Sequence, residues 1–158
     1  MIRRLHLAAL HIYRRLPTRW RRRVVRLINP GFTVGAMCFI ERADGQVLLV
    51  QLSYRSRWGV PGGLLKRGEA PEVAARREVR EEVGLDIVLL GEPAVVVDAV
   101  AQRVDLVFRA RPAPGQDPDL ARPGSPEITD ARWFPVDALP ELQHEASGAL
   151  GALARAGR

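Results

Sequence analysis

Glu78, Glu81 and Glu82 are the residues of this chain whose type and spacing first point to chemistry. They lie in a stretch, residues 71–83, with a helical pattern, Pro71 in its first turn and Gly84 just past its end. At about 100° per residue, Ala75, Val79 and Val83 form a narrow apolar stripe, which must face a sheet. Beside that stripe the three glutamates cluster within about 100° of arc, and Arg76, Arg77 and Arg80 fill the third sector. Ionised carboxylates at i, i+3 and i+4 repel one another. The arginines offset part of that repulsion, and a hard divalent cation with oxygen ligands offsets it better. The plainer alternative is a solvated charged face paired with those arginines, since charge runs usually mark solvated surface. Upstream, the glycine-rich loop Gly59–Gly63 lets backbone approach a bound group closely.

Around this helix the chain alternates β-favouring and helical runs. Residues 32–41 and 46–52 are apolar and β-favouring, joined by Ala43-Asp44-Gly45, a hairpin signal. A polar, aromatic loop from Ser53 to Trp58 leads into Gly59–Gly63. Residues 85–98 and 102–111 are again β-rich, a proline-, glycine- and aspartate-rich loop fills 112–126, and Ile128–Phe134 reads as a last strand. Pro135–Leu139 is a turn, and an alanine- and leucine-rich helix closes the chain. Ahead of the first strand, residues 2–16 read as an amphipathic helix that Pro17 interrupts. Thr18 then caps a second, basic helix running to about Ile28, with Trp20, Val24 and Leu27 on one face. The expected division is a basic helical extension at 1–30 and a mixed α/β domain at 31–158.

With 158 residues the chain suffices for one domain with a proper core. An apolar share of 47% and a charged share of 27% exclude a disordered chain, a collagen-like fibre and a disulfide scaffold. The single cysteine, Cys38, has no internal partner, so a reducing, cytoplasmic setting is the expectation. No apolar run approaches the ~20 residues that cross a bilayer. Charge is unevenly spread. Residues 1–40 hold nine arginines and no acid, and the rest holds fifteen basic and eighteen acidic side chains, so the formal +6 divides into +9 and −3. A pI near 10.8 therefore describes an appendage, and does not by itself argue for nucleic acid.

The spacing around the acidic helix is more specific than the carboxylates alone. Gly63, then five residues, Glu69, then seven residues, then Arg77-Glu78-Val79-Arg80-Glu81-Glu82-Val83-Gly84-Leu85 resembles the Nudix box of the Nudix hydrolase superfamily. All seven fixed residues stand in register, and Val79 and Leu85 fill the two apolar positions. The resemblance implies an α/β/α sandwich with a mixed sheet. It also implies hydrolysis of a nucleoside diphosphate linked to a further group, or of a nucleoside triphosphate, with Mg²⁺ or Mn²⁺. By that similarity Glu78, Glu81 and Glu82 bind the metal together with a carbonyl of Gly62 or Gly63. Arg77 holds a glutamate in place, Glu69 supports the junction of loop and helix with Gly62 and Gly84, and Glu78 or Glu81 serves as base. Glu127, ahead of Ile-Thr-Asp-Ala-Arg-Trp-Phe-Pro, resembles a family position that supplies an extra ligand or base; a plain surface glutamate is the alternative.

Substrate identity is less legible. The proline associated with ADP-ribose preference is replaced by Val100, and the tyrosine associated with dinucleoside polyphosphates by Gln102 or Arg103. Tyr54 and Trp58 are candidates to stack on a base, and Arg55, Arg57 or Arg103 to meet phosphates. Against these stand strand packing for Trp58 and solvated charge for the arginines. Trp133, Phe134 and Cys38 read as core. Two other functions compete with the nucleotide hydrolase: a non-catalytic nucleotide-sensing domain, and a hydrolase of lipid or prenyl diphosphates. The intact glutamate set favours the enzyme. For the basic segment three readings stand: cover for the domain or for a second subunit in a homodimer, a peripheral contact with an anionic membrane, or capture of RNA.

Overall fold

The computed structural model describes residues 13–29 and 31–156, and the chain divides into two compact units at Phe32/Thr33. In the first unit, Tyr13–Arg15 are helical, and the remainder of the helix expected over 2–16 lies outside the described residues. Helix α1 (Thr18–Ile28) follows. Its N-cap position is taken by Pro17 and not by Thr18, which is already helical, so no side chain caps the first turn. At the other end, the backbone N–H and the Nδ2 of Asn29 both donate to the Val25 carbonyl at 3.0 Å. Among the described residues no helix is long and apolar enough to cross a membrane.

The second unit is built on strands β1 (Thr33–Ile40) and β2 (Gln46–Leu52), which belong to different sheets. β1 pairs antiparallel with β4 (Gly62–Leu64) and parallel with β6 (Arg103–Pro112), and β6 pairs antiparallel with β5 (Ile87–Asp98). β2 pairs antiparallel with β3 (Trp58–Gly59) and with β7 (Ile128–Pro135). The expected turn at 43–45 forms, with Gly45 at φ 78° and its N–H on the Arg42 carbonyl. The hairpin does not extend beyond the bridge Glu41↔Val47, and the two strands continue into different sheets. β3 and β4 lie where a loop was expected. Each is two or three residues long, and strands that short carry no periodicity of their own.

Side chains alternate across the sheets, as a pleated strand requires. Ala36, Cys38, Ile40, Leu48 and Val50 face one layer, formed by helix α2 (Pro71–Val83) through Ala75, Val79 and Val83. Met37, Phe39, Val47 and Leu49 face the other, where helix α3 (His144–Ala156) contributes Ala149, Ala152 and Leu153. β1 and β2 are therefore apolar on both faces, which explains their unbroken hydrophobic runs. The result is an α/β/α sandwich with a mixed sheet. Cys38 is sealed within it, and burial pushes its thiol up to about 12. Trp133 packs against the first layer with its indole N–H on the Pro118 carbonyl, and Phe134 packs in the second.

Candidate active site

β4 and α2 are joined by the turn Leu65–Ala70, so the glycines of one lie beside the glutamates of the other. α2 begins with Pro71 and stops at Gly84, which takes φ 72° and returns its N–H to the Arg80 carbonyl. Its buried stripe is the expected Ala75, Val79 and Val83, widened by Ala74 and by Glu82. Glu82 is only 9% exposed, and its Oε2 accepts the Gly62 N–H at 2.9 Å. Burial, followed by the charges of Glu78, Glu127 and Glu81, pushes its carboxyl up to about 7, against the pull of that N–H.

Glu78 lies one turn earlier, hard against Gly63. A Cβ on Gly63 would stand 2.6 Å from the Glu78 carboxylate, so no other residue fits there without moving it. At Gly62 a Cβ would meet the Ala36 carbonyl oxygen at 2.3 Å. These two glycines bring strand backbone and helix carboxylates into direct apposition.

Arg77 organises the polar side of the helix. Its Nε and Nη2 donate to the two oxygens of Glu69 at 2.8 and 2.9 Å, in the bidentate geometry that suits guanidinium and carboxylate. Nη1 donates to Glu78 at 2.7 Å and Glu81 at 3.1 Å, and Nη2 also reaches the Leu64 carbonyl. Glu69 accepts the Lys66 N–H as well, at 2.8 Å. The Arg77 guanidinium and that N–H together hold the Glu69 carboxyl at about 2, and Glu69 in turn fixes Arg77 more firmly in its charged form.

A cavity of about 500 Å³ opens beside Gly62 and Gly63. Glu78, Glu82 and Glu127 line it, together with Tyr54, Arg55, Arg103, Gln143 and Glu145. Arg55 is paired with Glu145 at 2.9 Å, and Arg103 with the buried Asp105 at 2.8 Å. Of the residues singled out by sequence, Gly62, Gly63, Glu78, Glu82, Glu127, Tyr54, Arg55 and Arg103 thus share one cavity, reached from five separate stretches of chain. Gln143 and Glu145 belong to it without any signal in sequence, because only the packing of α3 brings them there.

Other candidates are placed elsewhere. Glu81 does not line the cavity; its side chain is half exposed and drawn away by Arg77 and, at 3.8 Å, by Lys66. Arg57 pairs with Glu141 at 2.5 Å and lines an adjoining cavity of about 540 Å³ with Tyr54 and Arg55. Trp58, paired with Gln51, is half-buried: its ring lies edge-on to Phe134 at 4.9 Å with the Arg132 guanidinium 5.8 Å from its centre, and it does not line the cavity. A cavity of about 550 Å³ between Glu41 and Pro118 has a single carboxylate, Glu41, and no comparable cluster.

Among the described residues no three acidic, histidine or cysteine side chains converge tightly enough to enclose a metal ion. The donor set nevertheless suits one: besides Glu145, which Arg55 engages, three carboxylates face one cavity, one of them buried with a single N–H partner, with strand backbone at Gly63 against another. Such all-oxygen ligands favour hard divalent cations.

Comparison with known proteins gives this geometry its context. The model of the NUDIX domain matches residues 31–153. The chain is 32% identical over 116 residues to a MutT-like protein of Streptomyces ambofaciens, covering 73% of this chain and 72% of that protein. It is 33% identical over 124 residues to the NAD-capped RNA hydrolase NudC of Pseudomonas aeruginosa, covering 75% of this chain but 41% of that relative, less than half its length. The solved MutT NUDIX hydrolase from Burkholderia pseudomallei superposes with a TM-score of 0.63 at 31% identity, over 78% of this chain and 99% of that one. Sequence spacing, sandwich architecture and these likenesses agree: the chain belongs to the NUDIX domain family and is a Nudix hydrolase, an enzyme of the pyrophosphohydrolase class.

Proposed function

We propose that this enzyme hydrolyses a phosphoanhydride bond in a nucleoside diphosphate-linked compound or a nucleoside triphosphate, using Mg²⁺ or Mn²⁺. The observation that carries the reading is the single cavity in which Glu78, Glu82 and Glu127 meet Arg55 and Arg103. A divalent cation bound there would screen the phosphate oxygens and lower the pKa of the attacking water. Glu78 and Glu82, with the Gly63 backbone, are the residues to hold it. Glu127 then stands as the base that takes the water's proton. Arg77 does not touch the cavity; it positions Glu78 and keeps Glu69 and the β4–α2 turn in place. Arg55 and Arg103 meet the phosphates, with Arg55 exchanging Glu145 for substrate, and Tyr54 offers a face to a base. The relative that hydrolyses NAD-capped RNA supports a nucleotide-linked diphosphate as substrate.

The test is a hydrolysis panel with and without Mg²⁺ or Mn²⁺. It spans nucleoside triphosphates, ADP-ribose, nucleotide sugars, dinucleoside polyphosphates and prenyl diphosphates. Cleavage should require the cation and fall about a hundredfold or more in Glu82→Gln, the scale of metal-derived charge stabilisation. Wild-type turnover in Glu82→Gln would remove the metal assignment, and preference for a prenyl diphosphate would remove the nucleotide.

A further inference from the structure

Helix α1 takes no part in the chemistry above, yet its residue order is strongly patterned. Five of its eleven residues are arginine and none is acidic. At about 100° per residue, Trp20, Val24, Leu27 and Ile28 fall within about 100° of arc. Arg19 and Arg22 lie opposite, and Arg21 and Arg23 flank the two edges. Three of these four face solvent, Leu27 at 86% exposed, Ile28 at 75% and Trp20 at 47%, while Val24 is half-buried. The Arg23 guanidinium lies 5.2 Å from the centre of the Trp20 ring, so cation and aromatic share one border of the arc.

Such a helix is poorly stabilised by itself. It has eleven residues, no side-chain cap, no acid in its first turn and three β-branched residues in its second half. Helices of this length are marginal in water without a surface to pack on. The surface must accept apolar side chains along one arc and arginines on the remainder. Nucleic acid would engage the arginines and leave Leu27 and Ile28 in water. An anionic bilayer engages both, with hydrocarbon beneath the apolar arc and lipid phosphates around the guanidinium groups. We propose that α1 lies in the plane of an anionic lipid surface, Trp20, Leu27 and Ile28 immersed and the arginines on headgroups, so that the hydrolase works at a membrane. This is independent of which diphosphate the site cleaves.

The test is co-sedimentation of the full-length protein with phosphatidylcholine vesicles, with and without phosphatidylserine, at low and high salt. Binding should need phosphatidylserine and weaken with salt. Leu27→Asp with Ile28→Asp should abolish it. Replacing Arg19, Arg22 and Arg23 by Gln should lower it about fivefold per residue, near a hundredfold in all. Both variants should keep the wild-type melting temperature and metal-dependent hydrolysis of a soluble substrate. Several results would overturn the proposal: no vesicle binding by the wild type, equal binding to neutral vesicles, or binding that survives the Leu27/Ile28 pair. A gel shift with RNA that depends on the arginines alone would transfer the helix to nucleic acid. A lowered melting temperature in the Leu27/Ile28 variant would make the face internal packing.

Discussion

Arg77 distributes its donors over three carboxylates, and the consequences differ for each. Glu69 receives the fork and sits at about 2 instead of the ordinary 4.5. Its depressed carboxyl contributes stability that is fully present above about pH 4.5 and is lost as the pH falls through 2. Glu69→Gln should therefore flatten the melting temperature between those limits; an acid limb identical to the wild type would mean that the fork adds nothing. Gly63 is tested by contact alone. Gly63→Ala drives a methyl group to within 2.6 Å of the Glu78 carboxylate. Displacing a catalytic-site carboxylate by that much should lower kcat by about a hundredfold, with little change in melting temperature. At this scale much was legible in the sequence, because Gly63, Glu69, Arg77, Glu78 and Glu82 are held in register by one turn and one helix. The withdrawal of Glu81 was not legible. It depends on which of three neighbouring glutamates Arg77 and Lys66 draw outward, and helical spacing treats all three alike.

At the scale of elements, α2 owes its end to Gly84. Its φ of 72° is left-handed, but nothing lies within 4 Å of the place where a Cβ would be. Gly84→Ala should thus cost about 1–2 kcal/mol through backbone conformation alone, read as a shift in the denaturation midpoint with kcat retained. That outcome is the reverse of the one expected at Gly63. Among the long elements α2 was legible through its helical period, and β1, β2, β5, β6 and β7 through β-favouring runs bounded by turn residues. β3 was not. Its two residues gain their direction from Val50 and Gln51 across the ladder, a pairing that two residues cannot announce by themselves. The turn at 43–45 was legible for the same reason that its hairpin was not, since a turn is local and strand partners are not.

The molecule as a whole is three layers, and adjacent residues of β2 serve different ones. Leu48 faces the layer of α2 and Leu49 that of α3, each fully buried. Leu48→Ala and Leu49→Ala should each lower stability by about 2–5 kcal/mol. Only Leu48→Ala loosens the bed of the glutamate helix, so only it should also raise the cation concentration needed for half-maximal turnover. An equal rise in both would mean that the layers transmit strain without distinction. The three layers were expected from the resemblance of the glutamate motif to the Nudix box, but Gln143 and Glu145 enter the site only because the last helix returns to it.

The parallel pairing of β1 with β6 joins Thr33 to Arg103. Every stretch from the first turn through the glycine strand and the acidic helix lies inside the loop closed by that pairing. Closing so long a loop precedes any reward from its contacts. During synthesis, β1 can meet β4 along one edge, but its other edge stays bare until β6 has left the ribosome. The interval in which this enzyme is most open to wrong partners is therefore the interval in which its catalytic segment is already made but the sheet beneath it is still open on one side.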